Sequence, residues 1–222
     1  MSFPAAKAEV RARFSEARLL LDNLRRSSPP AFTPVDETQK ALRGLWLVSL
    51  YAAVERSANA AVEAAIADIS SNAIKSFDSK FNLHSIFHYN RVQAVNACSR
   101  NSLFDKSARL FEVAFSDTIL SATDNPLAES LQNVDATTLS WILNLFGAPE
   151  MAPAVASIGR TNTLRERRNA VAHGRESASK VGERYSITEL DNLYNAADEV
   201  VSAFILSIEG HCTTKGYLRQ TA

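Results

Sequence analysis

Residues 168–174 read Arg-Asn-Ala-Val-Ala-His-Gly, which sets a guanidinium, a carboxamide and an imidazole close together ahead of a glycine. Arginine presents a planar fork of donors that matches a phosphate. Histidine is the side chain best suited to moving a proton near neutral pH. Together they form a minimal kit for breaking a phosphodiester without a metal ion. By residue type Arg168 is suited to neutralising a phosphate and His173 to moving a proton. Five residues of an ideal helix turn through about 500°, so Arg168 and His173 point about 140° apart. They share a site only if the helix loosens before Gly174 or if a second chain completes the pocket.

The chain has 24 Lys and Arg against 24 Asp and Glu, for a net charge of zero. No global field therefore draws it to nucleic acid or membrane. The segment from Ile158 to Val181 departs from that balance. Arg160, Arg165, Arg167, Arg168, Arg175 and Lys180 are opposed only by Glu166 and Glu176. A local basic cluster supplies phosphate contacts, which makes Arg165, Arg167 and Arg175 candidate RNA-binding residues. The plainer reading of the same cluster is a solvated helix face. Glu55 stands in an otherwise small and apolar helix, where it either pairs with Arg168 or another arginine of the pocket, or faces solvent. Tyr51, one turn earlier, lines the same pocket or packs in the core.

Other chemistry is poorly represented. There is no glycine-rich phosphate loop, no Gly-x-Ser-x-Gly elbow and no Cys-x-x-Cys. His84 and His88 lie four apart, but no second pair of metal-type ligands accompanies them, so no metal site and no cofactor are expected. His211 is expected at the surface. The two cysteines, Cys98 and Cys212, read as reduced thiols, because residues 1–10 carry no secretory pattern. No stretch approaches the ~20 apolar residues of a membrane span. The expected compartment is the cytoplasm.

Glycine and proline are scarce, at seven each, and alanine is plentiful, which favours helix over sheet. Val10, Phe14, Ala17, Leu21 and Leu24 form one helical face. Arg25 to Pro30 ends that helix, so residues 1–34 are expected to be a helical arm and linker. A long helix is expected from Asp36 to Ile69, with a break at Ser70-Ser71-Asn72. Residues 77–101 lack a clean period and read as short helices and loops. Helices are expected over 103–119, 131–146 and 151–172, then a polar loop over 174–185. Ser186 and Glu189 make a capping box that opens a last helix. Residues 214–222 are expected to be a tail. The fold class is all-α, a helical bundle.

The motif resembles the Arg–polar–x–x–x–His signature of the HEPN superfamily. The chain is similar more narrowly to the bacterial HEPN-type ribonucleases (the RiboL-PSP-HEPN and MAE-type branch) described in toxin and defence loci. The flanking layout extends the likeness over residues 36 to 213, with a long helix bearing Tyr51 and Glu55 before the motif and an amphipathic helix after it. The resemblance implies a HEPN-type bundle that pairs two-fold across its motifs. It also implies a metal-independent endoribonuclease with Arg168, Asn169 and His173 as catalytic residues. Its expected partners are RNA, a second copy of the chain, and an antitoxin or regulatory protein. The competing reading is a non-catalytic HEPN module that binds RNA or a protein.

Overall fold

A single 35-residue helix, α2 (Glu37–Ser71), organises the molecule. Asp36 caps its start by accepting a hydrogen bond from the Gln39 amide at 2.7 Å, and this satisfies one of the orphan donors of the first turn. Leu47, Leu50, Tyr51, Val54, Ala58, Ala61, Val62 and Ala65 are all completely buried. They share one face about 120° wide, and Trp46, Ala53, Ala60, Ala64 and Ile66 extend the burial to either side of it. The computed structural model describes residues 1–30 and 33–219. Among these residues there is no strand, only two isolated bridges, Lys75 with Ile119 and Ser79 with Leu218.

Helix α1 (Phe3–Arg26) lies along α2, packed on the body of the same chain. Phe14, Ala17, Leu21 and Leu24 are buried, and the Trp46 indole donates to the Ala17 carbonyl at 2.8 Å inside the contact. Ion pairs flank it, Lys7 with Glu209 at 2.7 Å and Arg18 with Asp191 at 2.8 Å. The apolar face is the one the spacing predicts, and its partner is the body of this same chain. Within the expected linker, residues 31–32 lie outside the described residues.

Residues 76–102 form 3-10 turns and two short helices, α3 (His84–Phe87) and α4 (Tyr89–Asn96). Helix α5 (Leu103–Ala114) stops before the expected Ile119, because residues 116–120 turn back to hydrogen-bond residues 74–77. The expected helix over 131–146 divides. A 3-10 turn covers Ser130–Asn133, and α6 (Ala136–Phe146) starts afresh after Asp135, which accepts from the Thr138 amide at 2.7 Å.

The motif helix α7 (Val155–Ala172) packs between α2 and the last long helix. The polar loop expected over 174–185 instead contains a short helix, α8 (Ala178–Gly182), with Val181 fully buried. It sits against α2 at two glycines. A Cβ on Gly44 would lie 2.0 Å from the Ala178 carbonyl oxygen, and one on Gly182 would lie 1.9 Å from that of Lys40. This backbone-to-backbone approach holds the chain just after the motif. Helix α9 (Ile187–Thr213) begins at the capping box of Ser186 and Glu189. Residues 214–219 fold back on the body and bury Tyr217, so they are no free tail, and residues 220–222 lie outside the described residues. His211 is correspondingly buried against Tyr217 rather than exposed.

Candidate active site

The motif lies at the end of α7. The helix stops at Ala172, and His173 takes the cap position. Gly174 then adopts a left-handed backbone with φ of 66°, a conformation in which glycine avoids the Cβ penalty. The Glu176 amide returns to the Ala170 carbonyl at 3.1 Å. The helical phase persists to His173, whose amide still donates to the Asn169 carbonyl at 3.1 Å. Asn169 and His173, four apart, face one way, and Arg168 reaches across to Glu55 on α2, so all three line one open cleft of about 640 Å³. Its opposite wall is α2, through Glu55 and Arg56, and the 3-10 turn at Gln132 and Asn133 closes one end.

Arg168 is held on three sides. Its Nη2 donates to Glu55 Oε2 at 2.9 Å, and its Nη1 donates to Asn169 Oδ1 at 2.9 Å. The guanidinium lies 5.0 Å from the centre of the Tyr51 ring, within range of a cation–π contact. Asn169 in turn donates from Nδ2 to Asn133 Oδ1 at 3.0 Å. Tyr51 is fully buried and donates to the Val134 carbonyl at 2.7 Å, so it supports the cleft from behind without lining it. Of the two sequence readings of Tyr51 the core one holds, and the ring meets the site only through Arg168. His173 is exposed at the cleft rim.

Glu55 is the electrostatic anomaly of the site. Its side chain is only 15% exposed, and its second oxygen, Oε1, is buried without a hydrogen-bond partner. Burial pushes its carboxyl up to about 7, against the opposing pull of Arg168. Desolvation disfavours the charged form, and here one ion pair does not fully offset it.

The basic segment is less free than its composition suggests. Arg165 is ion-paired with Asp135. Burial raises the Asp135 carboxyl, but hydrogen bonds from Thr138 and the nearby Arg165 bring it below its ordinary value. Arg165 therefore helps hold the α6 cap through Asp135 while remaining part of the basic surface. Arg167 donates from Nε to the Tyr185 hydroxyl at 3.2 Å. Arg175 is exposed. Arg165, Arg167 and Arg175 line a second cleft of about 560 Å³ that shares Asn133 and Asn169 with the first, so the basic surface runs into the motif cleft.

Asn133 and Arg56 are among the lining residues that escaped the sequence reading. Asn133 fell inside an expected helix. Arg56 follows Glu55 directly, yet its guanidinium is taken by Glu9 at 2.6 Å and Glu63 at 3.4 Å. The remaining histidines lie elsewhere. His88 Nε2 is 3.0 Å from Ser76 Oγ and His84 Nε2 is 3.3 Å from Ser79 Oγ, all of them buried. Burial pushes both imidazoles down, His88 to about 4, so they serve as neutral core groups. Cys98 and Cys212 are free thiols. No helix among the described residues is long and apolar enough to cross a membrane.

The family model described as RiboL-PSP-HEPN matches residues 8–210. The match takes in α1 and the whole cleft, and it begins well before α2. No curated protein and no solved structure matches the chain. The chain belongs to the RiboL-PSP-HEPN family, a helical family whose role is related to RNA and nuclease chemistry.

Proposed function

We propose that this RiboL-PSP-HEPN protein is a metal-independent endoribonuclease, acting in the cytoplasm as a toxin or phage-defence effector. The observation that carries the reading is the convergence of Arg168, Asn169 and His173 on one solvent-open cleft. In this reaction the ribose 2′-oxygen attacks the adjacent phosphorus and the bond to the 5′-oxygen breaks. The 2′ proton passes to one imidazole, and the departing 5′-oxygen takes a proton from another. The products are a 2′,3′-cyclic phosphate and a 5′-hydroxyl. Arg168 stabilises the charge that builds on phosphorus, the electrostatic contribution that is usually largest. Asn169, tied to both Arg168 and Asn133, keeps that guanidinium in register with the scissile phosphate.

Two proton transfers need two groups, and each chain brings one motif histidine. A two-fold dimer with its motif clefts face to face supplies both, and the exposed position of His173 at a helix end suits such a pairing. Arg175, with Arg167 beside it, extends phosphate contacts along the RNA. A toxin of this kind requires restraint by an antitoxin or a regulatory protein.

The test is cleavage of single-stranded RNA in excess EDTA, with analysis of the product ends. Wild-type protein should leave cyclic phosphate ends and be insensitive to the chelator. His173→Ala should lose at least ~10²-fold in rate, the scale of general acid–base catalysis, while still binding RNA. A folded His173→Ala protein that cleaves at the wild-type rate would overturn the catalytic reading in favour of a non-catalytic module.

A further inference from the structure

Among the described residues that line the motif cleft, Glu55 alone carries a carboxylate. It is bonded to the one guanidinium that the proposed reaction needs for phosphate, through Oε2 at 2.9 Å. A phosphodiester that reaches Arg168 must therefore approach a like charge. Displacing the carboxylate would leave it half-buried without a counter-ion, a costly arrangement. Neutralising it is easier. Oε1 is buried and has no partner, so a proton there leaves the Oε2–Arg168 bond in place. That proton removes the charge and turns an unsatisfied acceptor into a donor.

We propose that Glu55 controls phosphate entry to this cleft by taking up one proton, holding Arg168 as a carboxylate in the free protein and as a carboxylic acid when RNA is bound. The inference rests on the reading of Arg168 as the phosphate ligand and adds to it a proton linkage. Burial has already brought the Glu55 carboxyl to about 7 in the free protein, so the uptake falls in the physiological range. A phosphate beside it raises it further. The sign follows: affinity for RNA is highest below about pH 7 and falls as pH rises through that value.

The other ionisable groups facing Glu55 are few. Arg168 and His173 come from α7, and Tyr51 and Arg56 come from α2 itself. The two arginines stay charged throughout, with Arg56 occupied by Glu9 and Glu63. Burial pushes the Tyr51 phenol up, away from neutrality. The turn at Leu131–Asn133 contributes no ionisable side chain. His173 is the remaining group that also favours phosphate when protonated, so the experiment removes it.

The experiment compares the full-length His173→Ala protein with the His173→Ala/Glu55→Gln double variant. The probe is a labelled 2′-O-methyl RNA oligonucleotide, which cannot be cleaved by this chemistry. Its Kd is measured from pH 6 to pH 8.5 at fixed ionic strength. For His173→Ala, Kd should rise above pH 7 by up to about tenfold per pH unit, the ceiling for one linked proton. The double variant should bind with little pH dependence and about tenfold more tightly than His173→Ala at pH 8.5. Calorimetry of the single variant in buffers of different ionisation enthalpy should show uptake of up to one proton near pH 7.5, a readout that needs no change at Glu55. Parallel pH dependence in the two proteins, or no proton uptake, overturns the proposal and leaves the nuclease reading standing. Failure of both proteins to bind RNA at any pH at low salt overturns that reading as well.

Discussion

Arg168→Ala tests the cleft through stability, independently of catalysis. In the wild type Glu55 is a carboxylate with a partner above about pH 7 and a neutral acid below it. The ordinary value is 4.5 and the folded value is about 7. A carboxyl raised on folding contributes stability that is fully present below its unfolded value and is lost as pH rises through its folded value. The wild type should therefore lose stability from about pH 4.5 to pH 7 and then level off, as far as this group is concerned. Without Arg168 the folded value rises further, and the loss continues past pH 7.

The magnitude follows from the same numbers. At pH 8 the wild-type pair is ionised, about one pH unit above the midpoint at about 7, and this is worth about 1.4 kcal/mol relative to the neutral acid. At pH 6 Glu55 is already neutral, and the ion pair adds little. Arg168→Ala should thus destabilise by about 1.4 kcal/mol more at pH 8 than at pH 6, beyond a pH-independent loss of the Asn169 hydrogen bond and the Tyr51 contact. Urea unfolding followed by circular dichroism at the two pH values, with m unchanged, measures this difference. In a Glu55→Gln background, where no carboxyl titrates at this position, the difference should vanish. Equal destabilisation at both pH values, or a difference that persists in that background, would refute the placement of a neutral-range carboxyl beside Arg168.

Other consequences follow from the geometry. Arg175→Ala should lower the salt dependence of RNA binding by about one phosphate contact without affecting stability, as read by Kd against ionic strength. Arg165→Ala should instead cost about 1 kcal/mol in urea unfolding, because its partly buried partner Asp135 also caps α6; a change in salt slope alone would contradict this. Gly44→Ala should destabilise by about 1–3 kcal/mol, since its Cβ would meet the backbone of α8 at 2.0 Å and no side chain can yield there. Sedimentation velocity at micromolar concentration should show a dimer, and a strict monomer would remove the second imidazole from the proposed reaction.

What the sequence revealed and what it hid divide along one physical line. Local rules were legible. The start of the long helix at Asp36, the box at Ser186 and Glu189, and the glycine after His173 depend on neighbours a few residues away, and each appears where expected. Contacts made by backbone shape were not legible. Nothing in the period of residues 174–185 signals α8, because its docking depends on two glycines, Gly44 and Gly182, that are distant in sequence and meet at their main chains. His211 read as a surface residue in a fraying helix, but the residues that follow it fold back and bury it. Conversely, α5 forms over much of the helical pattern at 103–119, yet its Phe104 and Phe111 are 80% and 62% exposed. Periodicity marks an apolar face; it does not say whether anything covers it.

The site combines both kinds of information. The chemistry of Arg168, Asn169 and His173 was visible from residue type, and ideal helix geometry argued against their meeting. The helical phase does hold as far as His173, whose amide donates to the Asn169 carbonyl, and the three share a cleft because the long Arg168 side chain reaches across to Glu55. Glu55 was visible for a different reason: a carboxylate among alanines needs a counter-ion, and the motif holds a surplus of them. Yet its partner lies 113 positions away, and only packing decides that it is Arg168 and not Arg165, which Asp135 claims. The motif arginine is therefore not a free cation awaiting RNA. Its charge is already balanced by a carboxylate that burial has raised to about 7, and if Arg168 is the phosphate ligand proposed above, the strength of the cleft for phosphate depends on how readily that carboxylate gives up its charge.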